Sequence, residues 1–153
     1  MANVQITDFY LNNQKRYTES AVMTVPAKVS EGDARLGTGA SFIDPADNYV
    51  AYCLPKMAVV REFYIYVREA FASGTEATIT TIVDGEAVET DLAVDGAGVL
   101  TLAAAAGMPD GALFDKADGF SVSFNQTSTT GVLQVIAKYT AVDEKSGKYV
   151  ASI

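Results

Sequence analysis

The clearest alternation of apolar and polar positions lies between residues 59 and 67. In an extended chain one face would carry apolar side chains and the other polar or aromatic ones: Val59, Phe63, Ile65 and Val67 against Glu62, Tyr64 and Tyr66. Arg61 interrupts the apolar face near one end. The segment is rich in β-branched and aromatic residues, and a helix would scatter its apolar positions around the circumference. The pattern therefore predicts a strand.

Three further segments alternate in the same way. Residues 77–83 follow a Ser73-Gly74-Thr75 turn signal and predict a hairpin with the strand at 59–67. Residues 120–124 and 132–139 are separated by a polar, Thr-rich stretch and predict a second hairpin. The inward positions expected in this second pair are Phe120, Val122, Phe124, Leu133, Val135, Ala137 and Tyr139.

The first 50 residues are punctuated too often by Gly, Pro and charged residues to predict long regular structure. We expect residues 1–50 to form an extended arm and loops on or beside a core formed by residues 51–153, with short strands possible at 4–6 and 22–25. Several short strands joined by Gly, Asp and Thr turns are typical of a β-sandwich or jelly roll. The sequence thus predicts an all-β fold: a β-sandwich or jelly-roll-like single domain with an irregular N-terminal segment.

Composition narrows the possible chemistry. The chain has 153 residues, enough for one domain with a sizeable core, and it contains no His and one Cys. Without His there are no imidazole bases, imidazole metal ligands or Ser/His and Cys/His pairs. Cys53 lies in an apolar stretch and is expected to be a buried thiol. We predict no catalytic residue, no cofactor site and no metal site, and hence no enzyme.

The densest acidic cluster is predicted to be a solvated hairpin edge that discourages strand pairing with other chains. Its members are Asp84, Glu86, Glu89, Asp91 and Asp95.

Charge and hydropathy indicate the kind of partner. The net charge of -8 would repel phosphate backbones, so nucleic acid is not an expected partner. No segment has the roughly 20 apolar residues that span a bilayer, and no secretory signal is expected at the start. Residues 1–72 carry 7 basic and 8 acidic side chains, whereas residues 73–153 carry 4 and 11. The first half is therefore the better candidate for docking on an acidic partner.

Candidate contact residues lie in that first half. Tyr offers a large rigid surface with a polar tip, and basic residues would meet an acidic partner. The candidates are Tyr10, Arg16, Tyr17, Lys28, Arg35, Tyr64 and Tyr66. For Tyr64 and Tyr66, which share the face opposite the predicted core, half-buried packing within the sandwich is an equally good interpretation.

Two parts of the chain resemble small virion proteins of tailed bacteriophages. The first runs from Leu54-Pro55 through the strand at 59–67 to Ala70-Phe71 and the Gly74-Thr75 turn. The second is the pair of segments at 120–124 and 135–139, which resembles the closing part of those proteins. In these two parts the chain resembles the capsid decoration, or cement, proteins of such phages.

What the resemblance implies is a structural role. Such proteins are β-sandwiches or jelly rolls that sit on the outer capsid surface of the virion, often as trimers, and brace the major capsid protein. The chain would be synthesised in the cytoplasm of a bacterial host, would associate with itself as a homotrimer, and would bind neither nucleic acid nor membrane. The alternative is a head-fibre or tail-associated module that binds a host surface. A small-molecule-binding jelly roll or lyase-like enzyme is the weakest alternative, because such sites in this fold class usually hold a metal through His.

Overall fold

The computed structural model describes residues 2–5, 9–11, 19–26, 43–102 and 112–141, which form strands and their connections and contain no helix. The strands in chain order are β1 (Ala2–Gln5), β2 (Phe9–Leu11), β3 (Glu19–Pro26), β4 (Asp47–Leu54), β5 (Ala58–Glu69), β6 (Glu76–Thr81), β7 (Ala87–Ala93), β8 (Leu100–Leu102), β9 (Ala112–Phe114), β10 (Asp118–Phe124) and β11 (Val132–Ala141). A search of the same residues for a helix able to cross a membrane finds none.

The strands form two sheets that pack as a sandwich. The first sheet has the order β1-β4-β10-β6-β7 and the second has the order β2-β3-β11-β5-β8, with β9 also paired to β5. Neighbouring strands are antiparallel except β1, which runs parallel to β4. Without β1, β2 and β9, each sheet has four strands, and the chain repeatedly crosses from one sheet to the other. This is the jelly-roll arrangement, so the predicted all-β fold class is confirmed.

Both predicted hairpins are wrong. The strand at 59–67 belongs to the second sheet and the strand after it to the first, so β5 pairs with β11 while β6 pairs with β10. The connections 70–75 and 125–131 therefore cross between the sheets instead of turning back within one. Alternation specifies which face of a strand is buried, and that face was predicted correctly for residues 63–67 and for the second pair of strands, but it does not specify the neighbouring strand.

A β-bulge in β5 shifts the predicted inner face at one end. Glu62 pairs with Lys138 and Val60 pairs with Tyr139, so Arg61 has no residue opposite it. Two consecutive residues, Arg61 and Glu62, lie on the solvent side. Val60 is consequently buried and Val59 is only partly buried, whereas the sequence pattern placed Val59 in the core.

The described parts of the first 50 residues belong to the sheets. β3 lies between β2 and β11, and it buries Ala21, Met23 and Val25 in the core. The short strands considered at 4–6 and 22–25 correspond to β1 and β3, and β3 is longer than expected, with a buried residue at every second position from 21 to 25. The division of the chain at residue 50 stays a prediction.

The core lies between the two sheets and is filled by both. The Phe63 ring of β5 meets the Phe120 ring of β10 edge to face, with centroids 5.7 Å apart. Near one end of the sandwich the Phe71 ring stacks on the Phe124 ring, with centroids 5.1 Å apart. The Tyr49 ring meets the same Phe124 ring in a T-shaped contact, with centroids 5.9 Å apart. The inner positions predicted for β10 and β11 are all buried.

The two crossing connections are hydrogen-bonded to each other. The Ser128 Oγ accepts a bond from the Ala72 N–H (2.9 Å), and the Gln126 Nε2 donates to the Ser73 carbonyl (2.9 Å). The Asn125 side chain accepts from the Glu76 N–H and donates to the Gly74 carbonyl. This end of the sandwich is thus closed by polar groups that satisfy one another.

The opposite end depends on Asp118 and Gly119. The buried Asp118 Oδ1 accepts three backbone N–H groups, from Ile82 (3.0 Å), Val83 (3.1 Å) and Gly119 (2.7 Å). At Gly119, where the pairing with β4 is irregular, the backbone of Ala51 occupies the space that a Cβ would take. Only glycine permits this close approach of the β10 and β4 backbones.

Gly119→Ala is therefore expected to lower the free energy of unfolding by at least about 3 kcal/mol and Tm by roughly 6–12 °C, because a methyl group would overlap rigid backbone. The matched control is Gly96→Ala, whose Cβ would meet only Val99 Cγ2 at 3.6 Å. Thermal unfolding followed by circular dichroism measures both. Equal Tm values for the two variants would contradict this account.

Asp118→Ala should cost about 2–5 kcal/mol, because the buried Gly119 N–H and the part-buried Val83 N–H lose their acceptor. Asp118→Asn keeps one acceptor oxygen and should cost less, and Asp115→Ala, at an exposed position three residues earlier, should cost less than about 0.5 kcal/mol. Chemical denaturation of the three variants gives the ranking. A loss for Asp115→Ala as large as that for Asp118→Ala would refute the role given to the buried carboxylate.

Candidate interaction surface

The strands of the two sheets differ in charge. The strands of the first sheet contain five acidic residues and no Lys or Arg: Asp47, Glu76, Glu89, Asp91 and Asp118. The strands of the second sheet contain three acidic residues, Glu19, Glu62 and Glu69, and three basic residues, Arg61, Arg68 and Lys138. In the described strands the charge is thus divided between the sheets, -5 against 0, and this division does not follow the two halves of the sequence.

The outer face of the first sheet is polar but carries few long side chains at its centre. Ser121 and Ser123 of β10 lie opposite Thr80 and Thr78 of β6, and all four are partly exposed. Tyr52 of β4 is the large exposed residue of this sheet, with 52% of its surface accessible. Short hydroxyl side chains of this kind offer little area to a protein partner.

The outer face of the second sheet has two tyrosines and two aliphatic residues among polar ones, and we call it the Tyr64 face. It is made of three rows of facing residues that cross β3, β11 and β5. The rows are Ser20–Lys138–Glu62, Val22–Ile136–Tyr64 and Thr24–Gln134–Tyr66. Lys138 is exposed and the other eight residues are partly exposed. Cross-strand neighbours of this kind contact one another and hold each other in place.

Tyr64, in the middle row of this face, is held in position by its neighbours. Its hydroxyl donates to Glu62 Oε2 at 2.9 Å, and Lys138 Nζ lies 5.1 Å from the ring centroid. Lys138 Nζ also approaches Glu62 Oε2 at 3.9 Å. The hydrogen bond to Glu62 raises the pKa of Tyr64, so the phenol stays protonated well above neutral pH. The ring is therefore presented to solvent in a fixed position.

Two guanidinium groups lie on β5 on either side of the tyrosines. Arg61 is exposed at the bulge, and Arg68 is exposed two residues after Tyr66. Among the described residues the ion pair on this face joins Lys138 to Glu62 and involves neither arginine. Arg61 and Arg68 thus form no ion pair with another described residue, and they are separated by about 20 Å along the strand.

Of the predicted contact residues, Tyr64 and Tyr66 lie on the Tyr64 face, as the alternation indicated. Tyr10 belongs to β2 and is paired with Val22 of β3. The candidates Arg16, Tyr17, Lys28 and Arg35 lie outside the described residues. A contact role for all of these residues stays a prediction.

Sequence reasoning missed Ile136, Arg61 and Arg68 as members of this surface. Ile136 could not be placed there without knowing that β11 pairs with β5. The signal for Arg61 was its interruption of the apolar alternation, which coincides with the β-bulge in the structure.

The acidic cluster has the position predicted for it. Asp84 and Glu86 lie in the exposed connection between β6 and β7, and Glu89 and Asp91 lie on β7, the edge strand of the first sheet. Asp95 follows β7, and its Oδ2 accepts a bond from the Gly74 N–H at 2.9 Å. Within the residues that the structure describes, no group of three or more His, Cys, Asp or Glu side chains could hold a metal ion. Charges on an edge strand oppose its pairing with other sheets.

Cys53 is buried in β4, with 1% of its surface accessible, as predicted. Burial, together with the nearby Asp118 carboxylate, raises the pKa of its thiol from 9.0 to about 12. The thiolate is the nucleophilic form of cysteine. At pH 8 the side chain is therefore both inaccessible and protonated.

Folded protein at pH 8 should thus react with an aromatic disulfide reagent far more slowly than unfolded protein, because both access and ionisation are suppressed. The release of the coloured thiol, followed with and without denaturant, measures this, and Cys53→Ala gives the background. A rate in the folded protein equal to that in denaturant would contradict the buried placement.

Comparison with known proteins shows a likeness of fold. Neither protein-family models nor curated protein sequences give a match to this chain. Among solved structures, a chain of the structure titled "Capsid of Ralstonia phage GP4" is similar, with a TM-score of 0.51 and 13% sequence identity. The alignment covers 94% of this chain and 100% of that chain. The two chains are thus similar in overall fold.

Proposed function

We propose that this chain is a structural protein of a bacteriophage virion, which decorates the outer surface of the capsid and stabilises it by binding the major capsid protein as a trimer. The observation that carries the proposal is the fold likeness to a chain of a phage capsid structure, with full coverage of that chain. The resemblance of the segments at 54–78 and 120–139 to phage decoration proteins supports the same role.

The geometry is compatible with a protein that acts by adhesion. The sandwich is closed at one end by hydrogen bonds between crossing connections and at the other by the buried Asp118. A rigid body of this kind loses little conformational freedom when it docks. Contacts that each bury on the order of 1,000 Å² or more, repeated by capsid symmetry, add up to an avidity that single contacts lack.

The purified chain is expected to behave as a trimer, with three times the 16.2 kDa of one chain, and to bind shells of its phage that lack it. Unassembled capsid subunits should bind poorly, because they do not present the repeated sites. Light scattering after size exclusion measures the mass, and co-sedimentation with shells measures binding. Shells carrying the protein should also survive heating to a higher temperature than bare shells.

A map of the intact particle by electron microscopy locates the protein. Density over the outer shell at local three-fold positions is the expected result. Density at a vertex or tail tip, together with binding of the purified chain to host cells, would instead establish the head-fibre or tail-associated module. Failure to bind shells at any salt concentration would overturn the proposal.

A further inference from the structure

We infer that the Tyr64 face is the surface that docks on the virion shell, and that the shell presents to it an acidic protein surface with an apolar centre. The inference rests on the proposed function, and it adds the docking surface and the chemistry of its partner. The structural basis is the juxtaposition of Tyr64 and Tyr66 with the cations Arg61 and Arg68, which form no ion pair within the described part of the chain.

The chemistry of the face fits a protein contact. Tyr and Arg are the residues that contribute most often to protein interfaces, and both types occur here on one strand. Tyr64 is fixed in advance by Glu62 and Lys138, so its ring is ordered before the partner arrives. Val22 and Ile136, in the same row as Tyr64, extend the apolar centre across three strands.

Charge determines which way the molecule faces an acidic surface. The strands of the first sheet carry acidic residues without a basic one, so that sheet is repelled. Arg61 and Arg68 have no ion-pair partner among the described residues and are available to carboxylates about 20 Å apart. The second sheet therefore turns toward the partner.

The same charges favour a protein over a nucleic acid or another polyanion. Glu62 and Glu69 lie next to the two arginines along the chain, and the net charge of the protein is -8. A continuous run of phosphates or sulfates would meet these carboxylates and be repelled. A protein partner whose carboxylates lie at separate points around an apolar patch can place them against the arginines and away from Glu62 and Glu69.

Matched pairs of variants test the inference by binding to shells that lack the protein. Arg61→Glu with Arg68→Glu reverses the two cations of the face, while Lys56→Glu with Lys116→Glu makes the same change in net charge at exposed positions in turns outside it. Tyr64→Thr with Tyr66→Thr removes the aromatic rings and keeps β-branched residues in the strand, and Tyr52→Thr does so on the first sheet. Circular dichroism and light scattering establish that each variant is folded and has the wild-type mass.

The expected result is a loss of affinity of roughly tenfold or more for each double variant of the Tyr64 face, against wild-type affinity for both controls. Wild-type binding should weaken as salt is raised, and binding of the Arg61→Glu, Arg68→Glu variant should depend less on salt.

Other outcomes separate the inference from the proposed function. If wild-type protein binds shells and the variants of the face bind equally well, the inference is overturned and the proposed function stands. It is also overturned if these variants no longer form an oligomer of the wild-type mass, since the face would then be an interface between copies of the chain. The same holds if the variants bind shells normally and lose binding only to heparin or duplex DNA. If wild-type protein binds no shells, the proposed function itself fails and the inference fails with it.

Discussion

The edge-to-face contact between Phe63 and Phe120 joins the two sheets, and the rest of the structure depends on keeping the inner faces of both sheets against each other. β5 and β10 carry these rings in different sheets. The chain passes from one sheet to the other through connections at the ends of the sandwich. Each crossing leaves backbone polar groups at an end of the sandwich. The hydrogen bonds of Ser128 and Gln126 satisfy such groups at one end, and at the other end Asp118 accepts N–H groups of the turn between β6 and β7.

Because the outer faces take no part in the packing of one sheet on the other, they are free to differ. The first sheet presents hydroxyl groups at its centre and acidic residues toward its edge, whereas the second presents tyrosines with cations at both ends. A globular protein of net charge -8 with evenly spread charge would have no preferred orientation toward an acidic partner. Separation of charge between the two sheets gives this protein one.

Prediction from sequence succeeded where a property depends on neighbouring positions and failed where it depends on distant ones. The buried positions of β10 and β11 follow from their period of two, and so does the placement of Tyr64 and Tyr66 on the outer side. The partners of the strands do not follow, because a hairpin and a crossing connection both join strands of the same pattern. For this reason both hairpins were wrong while every inward residue of the second pair was right.

The same reasoning explains why the composition of the candidate surface could be predicted only in part. Tyr64 and Tyr66 share a strand, so their common face is a local property. Ile136 joins them only through the pairing of β5 with β11, and the two segments lie about 70 positions apart in the sequence. The charge difference between halves of the chain was real, but the fold redistributes those halves between the sheets.

The bulge in β5 links folding to the surface that we propose for docking. Strict alternation would place Arg61 on the same side as Phe63 and bury a guanidinium in the apolar core, which is strongly unfavourable without a paired charge. The bulge moves Arg61 to the solvent side and brings Val60 into the core in its place. One extra residue thus removes a charge from the core and adds a cation beside Tyr64, so the position of that cation is set by the packing of Val60 and Phe63. A surface whose charged residue is located by the core keeps its geometry for as long as the protein is folded.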